Sequence, residues 1–229
     1  MMAPSNHIPF DQTSSSLEAI AAIKSPDRLL ITGPEQTPIA FGCDQDWYQS
    51  RWQRQAGCGP CTSATILYYL SATRKSLAAL FPYPSFNYDT MNVYMHDIWH
   101  FVTPGLRGVN DASILVNGIC KYAATLGIEL EASIFPVPAK PAPREPFQAW
   151  FDSIKEALER DIPVAFLNLS RGHLKNLDSW HWVTVTALFL KNNQILAEIA
   201  DSGERKMIDI MKWYQSSRLG GATVYFWPD

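Results

Sequence analysis

Residues 55–70 read Gln55-Ala-Gly-Cys58-Gly-Pro-Cys61-Thr-Ser-Ala-Thr-Ile-Leu-Tyr-Tyr-Leu70. From Pro60 to Ser71 the apolar residues recur at spacings of three and four, which predicts a helix. Pro60 suits its first turn, because the N–H that proline lacks would be unpaired there. Cys58 then falls just before that turn and Cys61 within it. Unpaired N–H groups and the positive end of the helix dipole favour a thiolate over a thiol, so either sulfur is a candidate nucleophile. A plainer reading makes both cysteines small apolar residues at a helix start. A third takes Cys-Gly-Pro-Cys as a dithiol redox pair, which requires a buried strand leading into the motif. The preceding Trp47–Ala56, WYQSRWQRQA, is polar, basic and aromatic instead.

A thiolate nucleophile needs a histidine base and a group to orient it. Of the five histidines, His7 lies in the N-terminal segment, and His173 sits in the polar stretch Ser170–Asp178. His96 and His100 are one helical turn apart, but no third ligand completes a recognisable set, so no metal site is predicted. His181 opens the strand pattern HWVTVTALFL and shares a face with Val183, Val185, Ala187 and Phe189, which marks it as the candidate base. A satisfied core histidine is the competing reading. The next strand pattern, Gln194–Asp201, ends in Asp201, which an antiparallel hairpin returns towards His181 as candidate orienter. A two-residue turn at Asn192-Asn193 would set Asp201 opposite Thr184, on the wrong face. The pairing therefore requires a longer turn, a bulge, or Asp201 beyond the strand end. Asp201 can also be read as a turn residue in Asp-Ser-Gly.

Outward from these motifs, the first half reads as helical over Ser16–Lys24, Lys75–Phe81, Tyr88–Val102 and Asp111–Leu126, with Asp111 as an N-cap, followed by a strand over Glu129–Phe135. The proline-rich Pro136–Pro146 reads as an extended connector and a boundary between lobes. Beyond it come a helix over Phe147–Arg160 and strands over Val164–Leu169, His181–Leu190, Gln194–Asp201, Lys206–Ile210 and Thr223–Trp227. The expected fold is α+β in one domain, 1–229. A helical lobe spans about 15–135, and a lobe of one helix plus mainly antiparallel sheet spans 147–229, with a cleft between them.

Composition narrows the function. The chain has 229 residues, 47% of them apolar and 18% charged, enough to build a sizeable core. A formal net charge of −3 offers no basic field for nucleic acid. No apolar run approaches the ~20 residues of a membrane span, and no export signal opens the chain, so no membrane partner is expected. Four cysteines are too few to imply a disulfide framework, which points to a reducing, cytoplasmic setting. No cofactor is implied, and oligomeric state leaves no mark.

Taken together, GCGPCTSATILYYL, HWVTVTAL and the strand-ending ADSG resemble the papain-like cysteine peptidases, nearest the bacteriocin-leader (double-glycine) peptidases and their stand-alone relatives. The resemblance implies a papain-like fold with the active site between the lobes, and cysteine hydrolase activity on a peptide or small amide. It implies Cys58 as nucleophile, His181 as base and Asp201 as orienter, with Cys61 the alternative nucleophile. The family places an oxyanion-hole glutamine six positions before its nucleophile; counted from Cys58 that is Trp52, with Gln53 the nearest substitute, and counted from Cys61 it is Gln55. A dithiol oxidoreductase using Cys58 and Cys61, or a non-catalytic binding protein on the same fold, remain the alternatives.

Overall fold

The stretch from Cys58 to Leu70 is apolar on every side, and a helix of that kind belongs in the centre of a fold. The computed structural model, which describes residues 17 to 228, puts it there: helix α2 (Cys58–Thr73) is buried from Cys58 through Leu70. Burial of Ile66, Leu67 and Leu70, each with no exposed surface, contributes about 1.5–3 kcal/mol apiece. A six-residue helix, α1 (Arg51–Ala56), runs almost directly into α2 through Gly57. Around them pack α3 (Tyr88–Trp99), started by an Asn87–Thr90 capping box, and α4 (Ala112–Thr125), whose N-cap is Asp111 as the sequence predicts. Two more helices, α5 (Phe147–Glu159) and α6 (Ile210–Ser216), accompany the sheet.

Among the described residues the sheet has seven strands: β1 (Glu18–Ala22), β4 (Leu130–Val137), β5 (Val164–Asn168), β6 (His181–Lys191), β7 (Gln194–Asp201), β8 (Glu204–Asp209) and β9 (Gly221–Pro228). Its order is β4-β9-β5-β6-β7-β8, every pairing is antiparallel, and β1 joins the far end of β6. A separate antiparallel pair, β2 (Leu30–Thr32) and β3 (Pro38–Phe41), lies ahead of α1. The architecture is α+β.

Several local expectations need correction. Ser16–Lys24 is not helical: Glu18–Ala22 is a strand, recruited to the C-terminal half of β6 at Leu190, Phe189, Leu188 and Ala187. Its apolar spacing of three and four was outweighed by tertiary pairing; Ser16 and His7 lie outside the described residues. Lys75–Leu80 is a 3-10 helix, and α6 and the β2–β3 pair were too short to announce themselves. β4 continues through Pro136 to Val137, where it pairs only with β9 as an edge strand, a sheet position that tolerates proline. The sheet therefore includes two strands from the half of the chain before the connector. Among the described residues, no helix is long and apolar enough to cross a membrane.

Candidate active site

Cys58 sits in the first turn of α2, where Gly57 occupies the cap position without any side-chain cap. The leading N–H groups of this 16-residue helix are thus not neutralised by a capping carboxylate or hydroxyl. The glycines on either side of Cys58 have steric reasons. A Cβ on Gly57 would stand 2.6 Å from both the Gln53 carbonyl oxygen and the Tyr48 ring, and one on Gly59 would stand 2.7 Å from Val109. Tyr48 and the 105–109 loop can therefore press against the two flanks of the cysteine, which fixes its position.

His181 begins β6, hydrogen-bonded in register with Asn168 of β5 and buried to 8% exposure. Its Nε2 faces Asp201, with 2.6 Å from Nε2 to Oδ1, which leaves Nδ1 as the ring's second nitrogen. The imidazole and Cys58 line one recess, and Cys58 is among the groups that raise the ring's pKa. Burial opposes the charged ring, but the Asp201 carboxylate and Cys58 outweigh it and raise the His181 pKa to about 10. Burial likewise works against the Asp201 carboxylate, yet the His181 and Lys206 cations bring it down to about 2. Lys206 Nζ stands 2.9 Å from Asp201 Oδ2 and 3.0 Å from Glu204, and the Ser202 hydroxyl is 3.2 Å from Oδ1. The carboxylate is held from both oxygens.

How Asp201 reaches His181 answers the question of register. The β6–β7 turn is a two-residue one, with Asn192 and Asn193 both at positive φ (49° and 60°) and Lys191 opposite Gln194. That ladder continues to Ala187 opposite Glu198, then shifts by one residue, so that Val185 faces Ile199 and Thr184 faces Ala200. The extra residue is Thr186. This bulge carries Asp201 onto the face of His181, and it also puts Val185 and Val183 on that face with Leu188 rather than with Ala187 and Phe189. The Thr186 hydroxyl donates to Glu198 Oε1 at 2.8 Å, and its carbonyl accepts from the Ile23 N–H at 3.0 Å. Asp201 itself closes a second two-residue turn, Ser202-Gly203, opposite Glu204.

Cys58, His181 and Asp201 are thus brought together. Cys61 lines the same recess, but burial pushes its thiol well up, with the neighbouring Cys43 and Cys58 sulfurs adding to that. A thiol held protonated is a poor nucleophile. All four cysteines are free, and a helix, not a strand, precedes the CGPC segment.

Of the two glutamines, Gln53 is spent at the start of α1, its Oε1 accepting from the Ser50 hydroxyl at 3.0 Å. Gln55 is exposed and lines an open cavity beside Cys58. The residue that sequence reasoning missed is Gln45. Together with Cys58 and His181 it lines a recess of about 10 Å³, room for about one oxygen-sized group. Its Oε1 is buried with no hydrogen-bond partner among the described residues, so its carboxamide is not committed to holding the fold. Gln45 lies in a short 3-10 turn, Gln45–Trp47, opened by the Asp44 carboxylate, which accepts the Asp46 N–H. The segment before it is pinned twice: the Cys43 N–H donates to the Thr65 hydroxyl of α2 at 3.1 Å, and the Cys43 carbonyl accepts from the Gly203 N–H at 3.1 Å. Those bonds tie Gln45 to the Cys58 helix and to the turn after Asp201. Gln45 was missed because α1 separates it from Cys58, far outside the family's spacing of six.

No protein-family model matches this chain, and no curated protein matches it in sequence. The chemistry of the site therefore rests on its own residues.

Proposed function

We propose that the protein is a cysteine hydrolase that cleaves an amide bond of a peptide or small amide through a Cys58-His181-Asp201 triad. In this reading the Cys58 thiolate attacks the carbonyl carbon, and the oxyanion enters the recess beside Gln45 and the first turn of α2. His181 gives its proton to the departing amine, leaving a thioester. It then takes a proton from water, which attacks the thioester, releases the carboxylic acid and restores the thiolate and imidazolium. Asp201 keeps the imidazole in one orientation throughout. One observation carries the reading: a buried imidazole held by a carboxylate at 2.6 Å shares a recess with a helix-start sulfur.

Iodoacetamide provides the test. Cys58 should alkylate in mildly acidic solution, where ordinary thiols with pKa about 8.5 are protonated, and the labelled peptide is identified by mass spectrometry. His181→Ala should abolish that acid-range reactivity. A Cys58 that stays inert until alkaline pH, or is indifferent to His181, would rule the triad out. Insulin reduction that requires both Cys58 and Cys61 would instead support the dithiol oxidoreductase.

A further inference from the structure

The open cavity beside Cys58 has a volume of about 530 Å³, the size of a small-ligand pocket, and its walls are out of keeping with a solvated surface. Trp52, Leu106 and Trp180 line it and are three of the eight large apolar side chains that stand exposed among the described residues. Leu106, at 98% exposure, projects from a two-residue turn closed by paired bonds between Gly105 and Gly108. That turn is anchored on both sides of the site: Val109 abuts Gly59, next to Cys58, and the Val109 carbonyl accepts from the buried indole of Trp182, next to His181. Trp180 stands at φ +58°, a conformation that is strained for a bulky residue. Strain of this kind persists only where the surroundings enforce it, and it is concentrated at functional sites. Here it leaves an indole 48% exposed at the mouth of the cavity, immediately ahead of His181. The charged side chain at the rim, Arg107, has no ion-pair partner among the described residues.

We infer that this cavity binds an aromatic or branched apolar group of the acyl donor, with Arg107 disfavouring a cationic one, so that the enzyme selects substrates by a bulky uncharged side chain next to the scissile carbonyl. The inference rests on the hydrolase reading above. Two indoles and a leucine with no protein partner in front of them gain contact area only when such a group enters.

The experiment compares N-acetyl chloromethyl ketones of phenylalanine, alanine and lysine. In each, the Cys58 thiolate displaces chloride and forms a carbon–sulfur bond to the methylene. Rates are read by mass spectrometry of the intact chain and divided by the rate with iodoacetamide, which carries no side chain. The phenylalanine reagent should react roughly tenfold or more faster than the alanine one, and the lysine reagent slowest. Trp52→Ala and Trp180→Gly should each bring the phenylalanine-to-alanine ratio towards one, and the glycine also relieves the backbone strain at position 180. Arg107→Gln should narrow the gap between lysine and phenylalanine. Equal normalised rates in the parent protein, or a preference that survives both tryptophan substitutions, would overturn the inference while leaving the hydrolase reading in place. A Cys58 that iodoacetamide does not label in acid would remove both.

Discussion

The α2 start and the β6–β7 hairpin deliver the two halves of the site by different means. The helix presents its sulfur through local rules: an uncapped first turn, and glycines at 57 and 59 that admit Tyr48 and Val109 at distances no Cβ would permit. The hairpin presents its imidazole and carboxylate only after a long-range adjustment, because a tight Asn-Asn turn alone would have sent Asp201 to the opposite face. A helix end is specified by its neighbours in sequence, whereas a strand pairing is specified by everything between the turn and the residue in question. The helical half should therefore fail through chemistry when altered, and the hairpin half through geometry and pH.

The largest effect expected from a residue outside the triad belongs to Gln45. If its carboxamide stabilises the oxyanion in the recess it shares with Cys58, Gln45→Ala should lower kcat by roughly 10²–10³. Acid-range alkylation of Cys58 should persist, since the sulfur and His181 are untouched. Gln53→Ala, which removes an acceptor for Ser50 at the start of α1, should leave kcat within about twofold because it touches neither recess. Reversal of that order would return the oxyanion role to α1.

Asp201→Asn tests the hairpin half. Replacing a charged hydrogen-bond acceptor removes about 1.5–3 kcal/mol of interaction, equal to a loss of roughly ten- to a hundredfold in kcat/KM. The substitution also has a pH signature. The His181 pKa is raised from 6.5 to about 10, so its contribution to stability is complete below about 6.5 and is lost as pH rises towards 10. The Asp201 pKa is lowered from 3.8 to about 2, so its contribution is complete above about 3.8 and is lost as pH falls towards 2. Urea unfolding should accordingly find the parent most stable relative to Asp201→Asn between about pH 4 and 6.5, with the difference shrinking on both sides. A difference that is flat with pH would mean that the carboxylate and imidazole are not coupled in solution.

Much of this division is visible in the chain itself. The apolar run after Pro60, the Asp111 cap, and the strands opening at His181 and closing at Asp201 follow from periodicity and cap chemistry, and they are where the structure puts them. The requirement for a bulge could also be deduced, because the Asn-Asn turn and the face of Asp201 are incompatible without one. Its place at Thr186 could not, since that depends on Glu198 across the ladder and on Ile23 just past the end of β1. Gln45 was illegible for a similar reason. Its position is set by bonds from Cys43 to Thr65 and Gly203, distant in sequence, and nothing in the local sequence around Gln45 reports them.

Thr186→Val gives the smallest and sharpest contrast. The substitution keeps the shape of the side chain and removes the hydroxyl that donates to the buried Glu198 carboxylate, which retains Arg205 at 2.7 Å as its other partner. Loss of one hydrogen bond to a charged group should cost about 1.5–3 kcal/mol of stability, read as a lower midpoint in urea with unchanged slope. The bulge itself should survive, because the Ile23 N–H still binds the residue-186 carbonyl and the Asn192-Asn193 turn still fixes the ladder beyond it. Asp201 would then remain on the face of His181, and Cys58 reactivity would change by less than about twofold. If catalysis and stability fell together, the hydroxyl would be setting the register as well as stabilising it, and the bulge would belong to the site rather than to the sheet.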